Sequence, residues 1–346
     1  MTLRRSIARL PLLAAGLLAA SLAWPGALAA PGDQAGFEFA VLGHSFKAGP
    51  DDAPLKKAIA ETSAFNAAFV VATGIKAASE SCSDKLYGQR KDLLDASAPP
   101  LIVSLSASDW ASCRNSRGRI NAIERLNRLR DVYFADDQSL GQRKLTLSRL
   151  SSTAKFRSYA ENAHWEYGGV LFATVNLPAN NNHFLPEAGR NSEFEDRLVA
   201  NRSWLQRLFA MAQRKQLDGI VLFSDGDVGV LDDDDSSLLP SFSSKQDGFA
   251  GPRKQIRTLA KKFSGKVLLV DTGGIETEGK DGKGKKAAAR SEGPKIRWKG
   301  NLGHVSIDSD WSAIAVRPGK TPLFEVRQRA SRPSTQARAR ASTLRR

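Results

Sequence analysis

The chain has 346 residues, of which 41% are hydrophobic, and a formal net charge of +15. This length and composition predict one large or two ordinary globular domains and exclude a chain too polar to build a core. Ten of the fifteen charges come from Arg4, Arg5, Arg9 and the seven arginines after Val326, so the part between the two ends is only mildly basic.

The first residues have the pattern of a secretory signal peptide. Three arginines precede an apolar run at 10–24, and Ala27-Leu28-Ala29 offers the small residues of a cleavage site. An uncleaved membrane anchor is the alternative, but the run is shorter than the roughly 20 residues that a span needs, and it meets Pro11 and Pro25. We therefore expect residues 1–29 to be removed from a periplasmic or secreted protein, exported by the Sec route rather than the twin-arginine route.

The next part of the chain alternates between apolar runs and amphipathic segments, which predicts an α/β fold. Runs without polar alternation suit strands that are buried on both faces of a mainly parallel sheet. Apolar residues at helical spacing between these runs predict crossover helices, and alternation near the end predicts an edge hairpin. The predicted strands are 37–42, 69–71, 101–103, 169–175, 220–223 and 267–270; the predicted helices are 51–66, 120–133 and 193–212; the hairpin covers 296–316.

Polar residues follow the predicted strands, and the carboxyl ends of strands are where open α/β sheets bind ligands. The asparagines among them are also good turn residues, and that alternative stays open. The candidate site residues are His44 after the first strand, Gly74 and Lys76 after the second, Asp109 after the third, Asn176, Asn180, Asn181 and His183 after the fourth, and Asp271 after the last.

The two cysteines predict one disulfide, because an oxidising compartment favours a bridge over free thiols. Cys82 and Cys113 are 31 residues apart and each follows a strand tip. Closing such a loop stabilises a fold by roughly 3–4 kcal/mol in the chain-entropy model. A metal or redox pair is the alternative, but it needs closer spacing or more ligands.

Several strings resemble a bacterial exported branch of the calcineurin-like metallophosphoesterases. They include the residues at 69–76, Cys82-Ser83-Asp84 with Tyr87, and the residues at 108–114, and the similarity continues in order from about Phe37 to Val326. The resemblance implies one domain at 36–326 with two mixed β-sheets packed face to face and flanking helices. It also implies a phosphate-containing or anionic ligand.

The metal ligands of that family are mostly replaced in this chain. His44 stands where the family has a ligating aspartate, the bridging aspartate after Gly74 is deleted, and Ser108 replaces a ligating asparagine. Asn176 replaces a histidine, and Asp271-Thr272-Gly273-Gly274 replaces His-Gly-Asp-x-His. The resemblance therefore implies a pseudo-enzyme that serves as a binding or scaffold module. A metal-dependent phosphoesterase with a reduced site is the enzyme alternative.

The remaining residues predict at most one divalent metal ion, with His44, Asp109 and Asp271 as candidate ligands. The other two histidines of the predicted mature chain are not candidates. His164 lies in a string where the resembled family tolerates other residues, and His304 lies in the late hairpin. Acidic residues at 225–227 and 232–235 would suit calcium, but the spacing of a calcium loop is absent and a solvated loop is favoured.

Two basic segments contain too few apolar residues to pack. Residues 276–295 are rich in Gly, Lys and Ala and predict a flexible insertion, and residues 327–346 predict a disordered Arg-rich tail. The tail could contact anionic lipid or a polyanion, which makes an envelope-associated polyanion-binding protein the third function considered. A solvated tail without a partner is the alternative.

Overall fold

The structure is a computed structural model that describes residues 35–186, 191–232, 246–273, 294–308 and 311–327. Within these ranges the chain forms twelve β-strands and six α-helices. All of these elements belong to one unit, Asp33–Arg346. The predicted signal peptide, the predicted insertion up to residue 293, the acidic run after Asp232 and the predicted tail after Arg327 lie outside the described residues.

The first sheet has five strands in the order β12-β11-β1-β2-β3. Strands β1, β2 and β3 run parallel, and β11 pairs antiparallel with both β1 and β12. Helices α1 and α2 make the two crossovers between the parallel strands. The elements of this half are β1 (Phe37–Leu42), α1 (Ala53–Phe65), β2 (Val70–Thr73), α2 (Asp84–Asp95), β3 (Leu101–Ser104), α3 (Ala107–Trp110), α4 (Ala122–Tyr133), β11 (Trp311–Val316) and β12 (Phe324–Arg327).

The second sheet has seven strands in the order β4-β5-β6-β7-β8-β10-β9. Its centre is parallel, because β6, β7, β8 and β10 run in one direction. The elements of this half are β4 (Ser148–Arg149), β5 (Ala163–Tyr167), β6 (Val170–Thr174), α5 (Ser192–Arg214), β7 (Gly219–Phe223), α6 (Ala250–Lys262), β8 (Lys266–Asp271), β9 (Arg297–Lys299) and β10 (Leu302–Ser306).

A shared core contains alternate residues from the strands of both sheets. Phe39 of β1 shows the contact directly, since its ring centroid lies 5.2 Å from that of Phe172 and 6.0 Å from that of Phe223. The other residues of β1 to β3, such as Val70 and Val103, face the helices of the first half in a second core. Burial on both faces explains why these runs lack polar alternation. The predicted α/β class with two mixed sheets is confirmed.

The end of the chain differs from the predicted edge hairpin. Strands β9 and β10 do form an antiparallel pair in the second sheet, but β10 lies inside that sheet, parallel to β8. Strand β11 crosses to the first sheet, where it lies between β1 and β12. The reason is burial, because every residue of β11 is buried and an edge position would leave one side of this strand unpaired.

The predicted disulfide is present between Cys82 and Cys113, whose Cα atoms are 5.8 Å apart. It joins the segment before α2 to the turn after α3, two neighbouring strand tips of the first sheet. Each helix in the described ranges is too short or too polar to cross a bilayer. This agrees with the expectation of no transmembrane span in that part of the chain.

Candidate functional site

The carboxyl ends of the parallel strands from both sheets meet at one polar edge. The backbone N–H of His44, after β1, donates to the carbonyl of Asp308, after β10, at 3.1 Å. Lys47 Nζ donates to the carbonyl of Gly273, after β8, at 3.0 Å. The N–H of Ala107, after β3, donates to Asp225 Oδ2, after β7, at 2.7 Å. These bonds tie the tips of the two sheets together at the carboxyl ends of the strands, the position where α/β sheets bind ligands.

The first cluster at this edge, which we name the histidine–serine group, comprises His44, Lys76, Ser106, Ser108 and Asp109. All five side chains are buried, and those of His44, Ser106 and Ser108 are hydrogen-bonded to one another. His44 Nε2 lies 2.7 Å from Ser108 Oγ and 3.3 Å from Ser106 Oγ. The two hydroxyl oxygens are 2.8 Å apart, and Ser108 Oγ donates to the carbonyl of Lys76 at 3.0 Å.

The charged members of this group are held by the backbone. Asp109 Oδ1 accepts from the N–H of Ile75 at 2.9 Å, and its Oδ2 accepts from the N–H of Ser106 at 2.8 Å. Lys76 is fully buried, and its Nζ donates to the carbonyls of Ala77 and Ser108, both at 2.8 Å. Burial lowers the pKa of Lys76 and raises that of Asp109, and the opposite charge of each opposes the shift of the other.

Gly74 allows the imidazole of His44 to lie against the tip of β2. Its φ of +76° lies in the left-handed region, and a Cβ at this position would be 2.8 Å from both Cδ2 and Nε2 of His44. Only glycine meets both requirements without strain. Burial lowers the pKa of His44, which favours the neutral ring, and its Nδ1 has no hydrogen-bond partner among the described residues.

A second cluster, which we name the carboxylate–histidine group, comprises Asp227, Asp271 and His304. One ligand atom from each lies within 4.8 Å of the others, and it is the only set of three or more acidic, histidine or cysteine residues so arranged in the described ranges. His304 Nε2 is hydrogen-bonded to Asp271 Oδ2 and lies 3.6 Å from Asp227 Oδ1. Two carboxylates and one imidazole are a donor set that suits a divalent cation.

The surroundings of this second group are more open. Asp271 and His304 are buried, whereas 46% of the side chain of Asp227 is exposed. A guanidinium nitrogen of Arg297 lies 3.0 Å from His304 Nδ1, and the N–H of Gly273 donates to Asp271 Oδ1 at 2.8 Å. Burial lowers the pKa of His304, but the hydrogen bond and the charge of Asp271 outweigh it, so the net shift is upward.

Asp225 lies between the two groups and connects their loops. Its Oδ2 accepts from the N–H of Ala107 at 2.7 Å and from the N–H of Ala179 at 2.8 Å. Burial raises the pKa of this carboxyl to about 7, against the effect of those two hydrogen bonds. Asp225 therefore fixes the loops after β3, β6 and β7 relative to one another.

The predicted asparagine residues occupy the loop after β6. Asn176 Nδ2 donates to Glu161 Oε1 at 2.9 Å, and Asn181 exchanges hydrogen bonds with Gln246 and Gly248 of the segment before α6. Positive φ angles of 52°, 53° and 53° at residues 181–183 make this a left-handed turn. Asn181 therefore lies in a left-handed turn, a conformation that asparagine tolerates.

His183 and Asn180 lie on the side of this loop that faces α3. The imidazole of His183 is buried against Trp110, with ring centroids 4.6 Å apart, and its Nδ1 is 3.4 Å from Asn180 Nδ2. Burial lowers the pKa of His183. The loop thus contacts Trp110, the residue after Asp109, without belonging to either cluster.

The predicted metal ligands are not brought together as one set. Asp271 belongs to the carboxylate–histidine group, whereas His44 and Asp109 belong to the histidine–serine group, where both oxygens of Asp109 already accept backbone N–H groups. No protein-family model matches the chain, and no curated protein matches it either. Sequence reasoning considered Asp227 and His304 but set them aside, the first as part of a solvated acidic loop and the second as part of the late hairpin. His304 approaches Asp271 because β10 pairs with β8, and Asp227 follows β7, which pairs with the other side of β8.

Proposed function

We propose that the protein is an exported, calcineurin-like phosphoesterase-fold binding module that does not carry out two-metal hydrolysis. One observation carries the proposal: the histidine–serine group already contains its own buried cation. Lys76 is fully buried with its ammonium bonded to two backbone carbonyls beside the buried carboxyl of Asp109. These residues lie at the tips where the resemblance would require a dinuclear metal centre.

The donor set of this group does not fit two metal ions. A dinuclear centre needs several side chains with free lone pairs that converge on two cations. The carboxylate of Asp109 accepts two backbone N–H groups, and the hydroxyls of Ser106 and Ser108 bond to each other and to His44. A divalent cation placed among them would also be repelled by the ammonium of Lys76 in a medium of low dielectric constant.

The carboxylate–histidine group fits a single divalent cation better. Asp227, Asp271 and His304 offer three ligand atoms of suitable type within 4.8 Å of one another. Three protein ligands leave coordination positions for water or for an oxygen of a ligand. The half-exposed side chain of Asp227 gives access from solvent. We propose that a phosphate-containing or other anionic ligand binds at this edge through such a cation.

The same group supports a second candidate function, a phosphoesterase with one metal ion. A single bound cation can polarise a phosphoryl oxygen and lower the pKa of a bound water. The chain would supply the binding residues Asp227, Asp271 and His304 and the neighbouring guanidinium of Arg297. Both candidates predict one bound metal ion, so metal content does not separate them. Turnover of a phosphate ester does, because only the phosphoesterase predicts it.

The test is metal content by plasma mass spectrometry together with turnover of an aryl phosphate and an aryl phosphodiester. The whole chain is supplied with manganese, iron or zinc. We expect one equivalent of metal, no turnover, and loss of the metal in Asp271→Asn. A matched control is Asp308→Asn, which removes a half-exposed carboxylate near the same edge that is paired with Lys47. Two equivalents of metal, or turnover abolished by His44→Ala or Asp109→Ala, would contradict the proposal.

A further inference from the structure

A short hairpin projects from the first half of the molecule between α3 and α4. Arg114 and Ile120 form an antiparallel bridge, the N–H of Asn115 donates to the carbonyl of Arg119 at 2.9 Å, and Gly118 makes the turn with a φ of +74°. Cys113 at its base is bonded to Cys82. We name residues 114–123 the basic hairpin. Its own hydrogen bonds and the disulfide hold it in one conformation.

The hairpin exposes two large apolar side chains. Ile120 is 66% exposed and Ile123 is 53% exposed, the two highest values among the large hydrophobic residues in the described ranges. Ile120 closes the hairpin before α4, and Ile123 lies in the first turn of that helix, so the two side chains are at the junction of the hairpin and α4. A single exposed apolar residue is ordinary on a protein surface, and the hairpin and its junction with α4 carry two.

The same hairpin is strongly cationic. Arg114, Arg117 and Arg119 are all exposed, and residues 114–123 contain no acidic residue. The acidic side chains on the elements that pack beside it are engaged with other arginines. Asp84 is paired with Arg125 at 2.9 Å and with Arg128 at 3.0 Å, and Glu124 is paired with Arg125. The hairpin therefore presents three positive charges around two apolar side chains.

We propose that the basic hairpin docks on an anionic lipid surface. The guanidinium groups would bind headgroup phosphates while Ile120 and Ile123 enter the boundary between headgroups and acyl chains, as apolar residues of interfacial elements do. Because Arg114 is paired directly opposite Ile120, the side chains of these two residues lie on the same face of the hairpin. A soluble polyanion would satisfy the arginines but would leave the isoleucines in water, so the composition favours a bilayer.

The expected contribution follows from ordinary membrane electrostatics. An arginine near an anionic surface contributes about 1 kcal/mol, or roughly fivefold in affinity. Three arginines therefore raise the affinity for anionic vesicles by about a hundredfold. We expect the triple variant R114Q/R117Q/R119Q to lose that factor in co-sedimentation with vesicles of phosphatidylcholine and phosphatidylglycerol.

The decisive experiment uses the whole chain and measures how far vesicles protect the hairpin from cleavage by trypsin. Trypsin cleaves after Arg117 and Arg119. Mass spectrometry compares the rate of each of these cleavages with the rate of cleavage after Lys215, which is exposed at the end of α5. We expect vesicles containing phosphatidylglycerol to slow the hairpin cleavages about tenfold relative to Lys215. Vesicles of phosphatidylcholine alone should have no effect. Because cleavage is measured in the hairpin itself, binding of the apolar run at 10–24 to the vesicles does not produce the same result.

The apolar contribution is tested with the double variant I120S/I123S. It keeps all three arginines, and we expect it to lose the protection. A matched control, L185S/V199S, removes two other exposed apolar side chains, 40% and 51% exposed, and should keep the protection. Absence of protection in the wild-type chain would overturn the proposal. So would protection by soluble polyphosphate that I120S/I123S retains, because that result identifies a polyanion site.

Discussion

The two polar clusters at the edge of the sheets differ in how their charges are satisfied. In the histidine–serine group each charged side chain is fully buried and bonded to backbone groups, and Lys76 faces carbonyl oxygens rather than solvent. In the carboxylate–histidine group two carboxylates share one imidazole, and Asp227 is half exposed. The first cluster is therefore closed, whereas the second has ligand atoms that a cation could use.

This difference shows that two clusters at the same edge of the sheets can differ in chemistry. Both clusters lie at carboxyl ends of strands, where α/β sheets bind ligands. In the first cluster the burial of Lys76 beside Asp109 turns the position into part of the core of the fold. In the second the pairing of β10 with β8 brings His304 to Asp271. The predictions below separate a structural cluster from a binding one.

The largest expected effect is on stability in Lys76→Met. This substitution leaves the buried carboxyl of Asp109 without its nearby cation and two buried carbonyls without their donor. Leaving two buried carbonyls without a donor and a buried carboxyl without a nearby cation costs about 3 kcal/mol or more, so the free energy of unfolding in a denaturant titration should fall by that amount.

The matched control is Lys47→Met. Lys47 is paired with Asp308 on the surface, next to the second cluster. Its substitution should lower the free energy of unfolding by less than about 1 kcal/mol. Equal losses in the two variants would contradict the view that only the first cluster is structural. The metal content expected for the carboxylate–histidine group should be the same in Lys76→Met as in the wild-type chain.

A smaller effect is expected for glycine substitutions at the two clusters. Gly74→Ala places a Cβ at a φ of +76° and 2.8 Å from the ring of His44, which is held by Ser108. Gly273→Ala has a similar φ of +57°, but its Cβ would meet only Ser306 Oγ, which can rotate away. The left-handed conformation costs roughly 1–2 kcal/mol in both, and the contact with His44 adds roughly 1 kcal/mol or more to Gly74→Ala.

Thermal unfolding of the two alanine variants measures this difference. Gly74→Ala should melt at the lower temperature by several degrees, since about 1 kcal/mol corresponds to roughly 2–4 °C in a protein of this size. A larger loss in Gly273→Ala would mean that the second cluster is the more tightly packed of the two.

The smallest effect is a difference in protonation between the two histidines. Burial lowers the pKa of His44, whereas the hydrogen bond and charge of Asp271 outweigh burial and raise the pKa of His304. In metal-free buffer with EDTA, nitrogen–proton correlation spectra recorded over a pH series should therefore show that the ring of His44 loses its proton at a lower pH than the ring of His304. His44→Gln and His304→Gln assign the signals. Two histidines that titrate together would contradict the distinction between the clusters.

Local patterns in the sequence were sufficient for most of the elements. The helix predicted at 51–66 corresponds to α1 (Ala53–Phe65), the one at 120–133 to α4 (Ala122–Tyr133), and the one at 193–212 to α5 (Ser192–Arg214). The apolar runs became strands because a segment without polar alternation can be buried on both faces. The disulfide was also predictable, since two cysteines allow only one intramolecular pair.

The sequence by itself thus determined the class of fold, the strand tips and the Cys82–Cys113 pair, because each depends on residues that are close in the chain or on composition. Only the tertiary structure decided which tips share a cluster. His304 reaches Asp271 across 33 residues, and it does so because β10 is inserted beside β8 rather than at an edge. Strand order depends on the packing of the whole chain, and hydrophobic periodicity carries no information about it.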